Sequence, residues 1–336
     1  VRRGFLGEAL NFYWGNTVSK GEVFAASAVL TLLGVAALLT VFGRFCLHTL
    51  TGAKLFLLLV SSFAFAALIS STGYIDLALI VLVALAMHSA PVGMFGISAR
   101  IGAVILGVFM HEVMLAYFAV FFVFELHFSK TGKPRLPVAM LPLIAAFGTF
   151  GLLTALGQLS PQEAQGYIAH IEAKSEFTAE PEATIVMERT LSDNMAMMSE
   201  KRGMLDYRSW VIFDGLPLLA MSIWLLWLNL KLMPSASMLT RVLLLGAIAA
   251  PLSLNVIAFD VVRFGSISVL VGFLAVLVQL RTDPETEHRL ASLLSWPTLT
   301  VLLVLNLNVT VNQMNTGDGQ DYGVPWVLVK QLDWIK

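Results

Sequence analysis

The chain has 336 residues, 57% of them hydrophobic and only 13% charged, with a formal net charge of −1. Soluble domains are about 25% charged, so this composition, with a mean hydropathy of +0.81, excludes an ordinary soluble domain. The near-neutral balance excludes a nucleic-acid partner, and a lone cysteine, Cys46, excludes an intramolecular disulfide and a thiolate metal site.

The chain opens on Val1, as expected of a GTG start or of a sequence whose upstream residues are absent. The stretch GFLGEALNFYWGNTVSKGE that follows Arg2 and Arg3 has no apolar core of a cleavable signal peptide. A bilayer core about 30 Å thick needs about 20 apolar residues per spanning helix. Such runs lie at about 22–43, 54–72, 75–91, 97–127, 137–157, 210–230, 236–258, 262–280 and 290–309. They predict an all-α, polytopic transmembrane helix bundle of about 9–10 spans. The expected layout is an N-terminal membrane half over 1–157, a large extracytoplasmic loop over 158–209, a C-terminal membrane half over 210–309, and an extracytoplasmic tail over 310–336.

The run 97–127 is too long for one untilted span, because its 31 residues would make a helix of about 46 Å. Broken at His111 it becomes a hairpin of two short helices, the favoured reading, which places the N-terminus outside. A single tilted helix places it inside. Lysines and arginines in short loops orient the second half: Lys130, Lys133, Arg135, Lys231, Arg241, Arg281 and Arg289 fall on one side, the expected cytoplasm, and only Arg263 on the other. In the first half Arg44, Lys54 and Arg100 compete with Arg2, Arg3 and Lys20.

The 158–209 loop is acidic. Pro161 and Pro181 are expected to open helical pieces, and Met187, Leu191, Met195 and Met198 recur at helical spacing. The loop reads either as a lid over an outer cavity or as a solvated connection. Its Arg189 and Arg208 are candidate phosphate contacts, and equally ordinary surface charge.

Ionisable residues inside apolar runs are rare and mark sites. His111 and Glu112 come first: a carboxylate at mid-depth costs about 2.5–3.5 kcal/mol, so it needs a partner or a cavity. His111 is a candidate general base, with Glu112 as its orienting acid. The alternative is a buried pair that fixes helix packing. A zinc protease is excluded, since Leu115 stands where H-E-x-x-H requires its second histidine. Asp260 and Arg263 lie three apart on one helix face, either as a plain ion pair or with Arg263 gripping a phosphate and Asp260 holding it or acting as base. Asp76 and Asp214 map to the same outer half as substrate-binding candidates. No nucleotide loop and no metal-spaced cluster is present, so neither metal nor cofactor is expected.

The residues ARIGAVILGVFMHEVMLAYF, with their Arg-then-His spacing, and FDVVRFG opening a late span give the chain a layout that resembles bacterial polysaccharide-assembly membrane proteins of the Wzy and EpsG polymerase type. The resemblance implies a polymerase or transferase of polyprenyl-pyrophosphate-linked glycans at the outer face of the inner membrane, using no cofactor. It further implies Arg263 as pyrophosphate contact and His111 or Glu112 as base. This loop departs from the pattern by being net acidic rather than Arg-rich. The alternatives are a proton-coupled transporter or flippase of a lipid-linked or small anionic solute, and a non-catalytic membrane scaffold.

Overall fold

The computed structural model describes residues 19–70, 76–91, 93–129, 136–156, 161–174, 195–196, 199–200, 211, 215–256, 258 and 260–307. Among them every regular element is helical. In chain order these are α1 (Lys20–Cys46), α2 (Leu50–Val60), α3 (Phe63–Ser70), α4 (Asp76–His88), α5 (Met94–Met110), a π-helical turn (Leu115–Ala119) running into α6 (Val120–Phe128), α7 (Leu136–Ala139), α8 (Leu141–Leu156) and α9 (Pro161–Lys174). After the loop come α10 (Leu216–Leu232), α11 (Met238–Ser253) with a 3-10 turn (Leu254–Val256), α12 (Val261–Thr282), α13 (Glu285–Leu293) and α14 (Trp296–Leu307).

Among the described residues three helices, Gly21–Cys46, Met238–Val256 and Val261–Thr282, are long and apolar enough to cross a membrane, or up to five spans if each bent pair counts as one. Shorter apolar helices accompany them, and the whole is consistent with an integral membrane protein. The local causes of each start and stop are ordinary. Ser19 caps α1 in a reciprocal capping box with Glu22, Thr49 caps α2, and Ser237 caps α11. Pro251 cannot donate to its helix, and α11 tightens into the 3-10 turn just after it. Pro161 opens α9, while Pro181 and the stripe positions 187, 191 and 198 lie outside the described residues.

Two apolar runs that read as single spans are bent. The chain turns by 54° between α2 and α3 and by 69° between α13 and α14. At the first bend the Ser62 hydroxyl caps the new helix by accepting from the Phe65 amide at 3.1 Å. The 97–127 run also divides. His111 is extended (φ −162°, ψ 132°), ending α5, and the chain returns, so that Arg100 and Glu125 meet at 2.6 Å. In one straight helix these residues would stand about 37 Å apart.

The bundle is organised around α12, whose residues Phe264 through Gln279 are all buried. It packs on α10, α11 and α3, with α1 and α6 also in contact. The α10 contact is close because Gly265 and Gly272, seven apart, receive Leu218 and Leu225. It is also polar: Asn229 donates to the Gly272 carbonyl at 3.0 Å, Gln279 donates to Asn229 at 2.6 Å, and Ser268 donates to the Ser222 hydroxyl at 3.0 Å. Small residues and amide bonds of this kind hold helices together where lipid removes the hydrophobic incentive. By contrast α1 is peripheral and turns Phe24, Val29, Leu32 and Leu33 outward, as α8 does Ile144, Phe147 and Leu152, the apolar exterior a bilayer would cover.

Candidate functional site

The site follows from which helix ends share a layer. α4 runs away from Asp76, α5 comes back beside it, and the His111 turn sends the π-helical segment and α6 away again. The starts of α4, the π-helical segment and α12 therefore lie at one end of the bundle, together with the tip of the hairpin. Asp76, Tyr117, Asp260 and Arg263 meet there.

Arg263 is the centre. Its Nε and Nη2 both donate to the Asp76 carboxylate, the latter at 2.9 Å, in a two-point pairing. Its Nη1 donates to Asp260 at 3.3 Å, and its backbone amide donates to the other oxygen of Asp260 at 3.3 Å, making that residue the N-cap of α12. Asp76 is sealed in the core, with its side chain 1% exposed, whereas Asp260 at 15% and Arg263 at 13% reach the rim. Among the described residues two carboxylates surround this one guanidinium. The Asp260–Arg263 pairing is the i, i+3 relation the sequence indicates; Asp76 adds a partner 187 residues away.

Tyr117 was not singled out from the sequence. It lies in the middle of the π-helical turn and is fully buried. Its ring packs edge-on against Phe264 at 6.2 Å. The hydroxyl sits within electrostatic reach of Asp76, Asp260 and Arg263, yet makes no hydrogen bond of good geometry. A buried hydroxyl without a partner is costly, and π-helical turns are rare and recur at functional sites. The signal available in the sequence was weak, one tyrosine in an aromatic-rich run.

His111 and Glu112 form the hairpin tip. The His111 Nδ1 lies 3.4 Å from the Glu112 carboxylate and accepts from the Val113 amide at 3.3 Å. These are alternatives, because accepting from an amide needs a bare nitrogen and pairing with a carboxylate needs a protonated one. The Nε2–H tautomer thus suits the amide, whereas the Nδ1–H tautomer or the doubly protonated ring suits Glu112. His111 is 11% exposed and Glu112 43%. Asp214, Arg189 and Arg208 lie outside the described residues.

A second ionic cluster occupies the opposite end. Arg100 pairs with Glu125 through two hydrogen bonds and also donates to the Ser89 hydroxyl at 3.0 Å and the Gly96 carbonyl at 2.8 Å. Arg281 stands 3.8 Å from Glu125. Glu125 was overlooked in the sequence although it stands in an apolar run, as Glu112 does. Between the clusters, Ile80, Val83, Phe118, Leu270 and Leu274 line an apolar pocket, while the α10 side of α12 carries the Ser268–Ser222 and Gln279–Asn229 contacts. Among the described residues no group of histidine, cysteine and carboxylate side chains has metal-binding geometry. No protein-family model matches this chain, and no curated protein or solved structure does either.

Proposed function

We propose that this chain is a membrane-embedded transferase or polymerase of glycans carried on polyprenyl pyrophosphate, working at the outer face of a bacterial inner membrane. One observation carries the reading: Asp76, 187 residues before Arg263, joins the Asp260–Arg263 pair and the unsatisfied Tyr117 hydroxyl at the bundle end that bears the His111–Glu112 tip. In this scheme His111 takes the proton of an acceptor hydroxyl, whose oxygen attacks the anomeric carbon of the donor sugar. The bond from that carbon to the pyrophosphate oxygen breaks, and the pyrophosphate leaves with the electron pair. Glu112 stabilises the imidazolium formed.

Arg263 meets the charge developing on the leaving group. A guanidinium serves phosphate oxygens in the same two-point manner as it serves Asp76, so the donor meets Arg263 from the rim, where Asp260 makes the longer contact, while the sealed Asp76 keeps the arginine in place. A preorganised cation at a dry boundary is worth far more than one in water.

The test is reconstitution of the full chain in vesicles with a polyprenyl-pyrophosphate oligosaccharide and measurement of polyprenyl pyrophosphate release. His111→Ala is expected to lower the rate about 10²–10⁴-fold, the usual contribution of a positioned base. Full activity in a His111→Ala, Glu112→Ala double variant would overturn the reading.

A further inference from the structure

Among the described residues, neither Arg44 nor Arg281, at the end of α12 remote from Arg263, hydrogen-bonds a carboxylate. Arg281 donates to the Met87 carbonyl at 2.9 Å and, at 3.5 Å, to that of Ser89. Its nearest carboxylate is Glu125 at 3.8 Å, and both oxygens of that group are already held by Arg100. Asp283, the acid following α12, is engaged by Arg289 at 2.8 Å. Arg44 of α1 brings a third guanidinium. Its carbon lies 5.4 Å from the Phe45 ring centroid, and that of Arg281 lies 4.4 Å from the same centroid.

Among the described residues, Arg44, Arg100 and Arg281 share one carboxylate, Glu125, and Arg44 and Arg281 flank the Phe45 ring. Arg100 is sealed in the core, whereas Arg281 keeps 13% of its side chain exposed and Arg44 is open. An unanswered charge at the edge of an apolar bundle is expensive unless an anion neutralises it. Guanidinium is weakly hydrated and matches phosphate geometry, and basic pockets between spanning helices hold lipid head groups.

We propose that Arg44 and Arg281, with Phe45 between α1 and α12, form a binding site for a phosphate-bearing anion, filled by the head group of an anionic phospholipid or by free phosphate. The site is separate from the Asp76–Arg263 cluster, and its test does not depend on any glycan activity. The full chain is incorporated into vesicles of equimolar phosphatidylglycerol and phosphatidylcholine and extracted with detergent. Co-purifying lipids are counted by mass spectrometry, and inorganic phosphate is titrated in a parallel sample.

Phosphatidylglycerol is expected to be enriched, with the enrichment falling roughly fivefold for each of Arg44→Gln and Arg281→Gln. Arg44 is exposed, so its variant keeps the test informative if Arg281→Gln fails to fold. Lys54→Gln and Arg289→Gln, at basic residues already engaged with Trp296 and Asp283, are expected to leave the ratio unchanged. Arginine-dependent binding of inorganic phosphate without lipid enrichment assigns the site to free phosphate. Equal lipid counts together with no phosphate binding overturn the proposal, as does an equal loss in the Lys54 and Arg289 variants, which would mean diffuse attraction.

Discussion

Arg100 and Glu125 stand 25 residues apart in sequence and clasp each other at 2.7 and 2.6 Å with both side chains shut off from solvent. The clasp closes the base of the hairpin whose tip is His111. Arg100→Met alone strands a buried carboxylate and is expected to cost about 3–5 kcal/mol. Replacing both partners by apolar residues removes that penalty, though only in part, because Arg281 then faces the core without Glu125. Denaturant unfolding in micelles measures both; a double variant no more stable than Arg100→Met would refute the account.

The two acids around Arg263 are unequal. Asp76 is buried and bonds at two points, while Asp260 is nearer the rim, bonds at 3.3 Å and also caps α12. Asp76→Asn is therefore expected to cost about 3–5 kcal/mol, and Asp260→Asn only about 1 kcal/mol, since asparagine also caps well. Melting temperatures in detergent give the ranking, and the reverse order would mean that Asp260 is the principal partner.

At the α10–α12 contact a Cβ on Gly265 would meet Leu218 at 2.7 Å, and one on Gly272 would meet Leu225 at 2.8 Å. Gly272→Ala is expected to destabilise by about 1–3 kcal/mol through overpacking. Gly102→Ala serves as the control, because nothing lies within 4 Å of its added carbon. Equal unfolding midpoints for the two variants would show that α10 and α12 part without penalty.

Asn229 bridges α10 to α12 and also receives Gln279. Asn229→Leu breaks both bonds and is expected to cost about 0.6–2 kcal/mol, the range for interhelical hydrogen bonds in membranes. Adding Gln279→Leu should restore part of the loss by removing the amide left behind. A double-mutant cycle showing no coupling between the two sites would contradict this.

Much of the helical layout was legible because apolar runs are long and charge-free, a signal that survives any arrangement of the helices. The bends were not legible: Ser61 and Ser62 interrupt the second run without making it too polar to span, and the 54° turn is held by their hydroxyl contacts with neighbouring backbone. At the site, the Asp260–Arg263 relation could be read from its spacing, since i, i+3 residues share a face. Asp76 could be suspected but its partner could not, because 187 residues separate it from Arg263. Arg100 was hidden by a sufficient explanation, the placement of positive residues on one side, which asks for no partner. Tyr117 was invisible because burial, and not composition, makes its hydroxyl conspicuous.

The central position of α12 has a consequence for how the protein is made. Asp76 emerges from the ribosome 187 residues before the arginine that neutralises it, roughly 10–40 s at ordinary synthesis rates. During that interval the first helices must keep open the slot that α12 later fills, with an acid facing it. The half-made bundle is therefore a client for whatever shields unfinished membrane proteins. Chains stalled at residue 255 should crosslink to such a factor, and chains released after residue 285 should not.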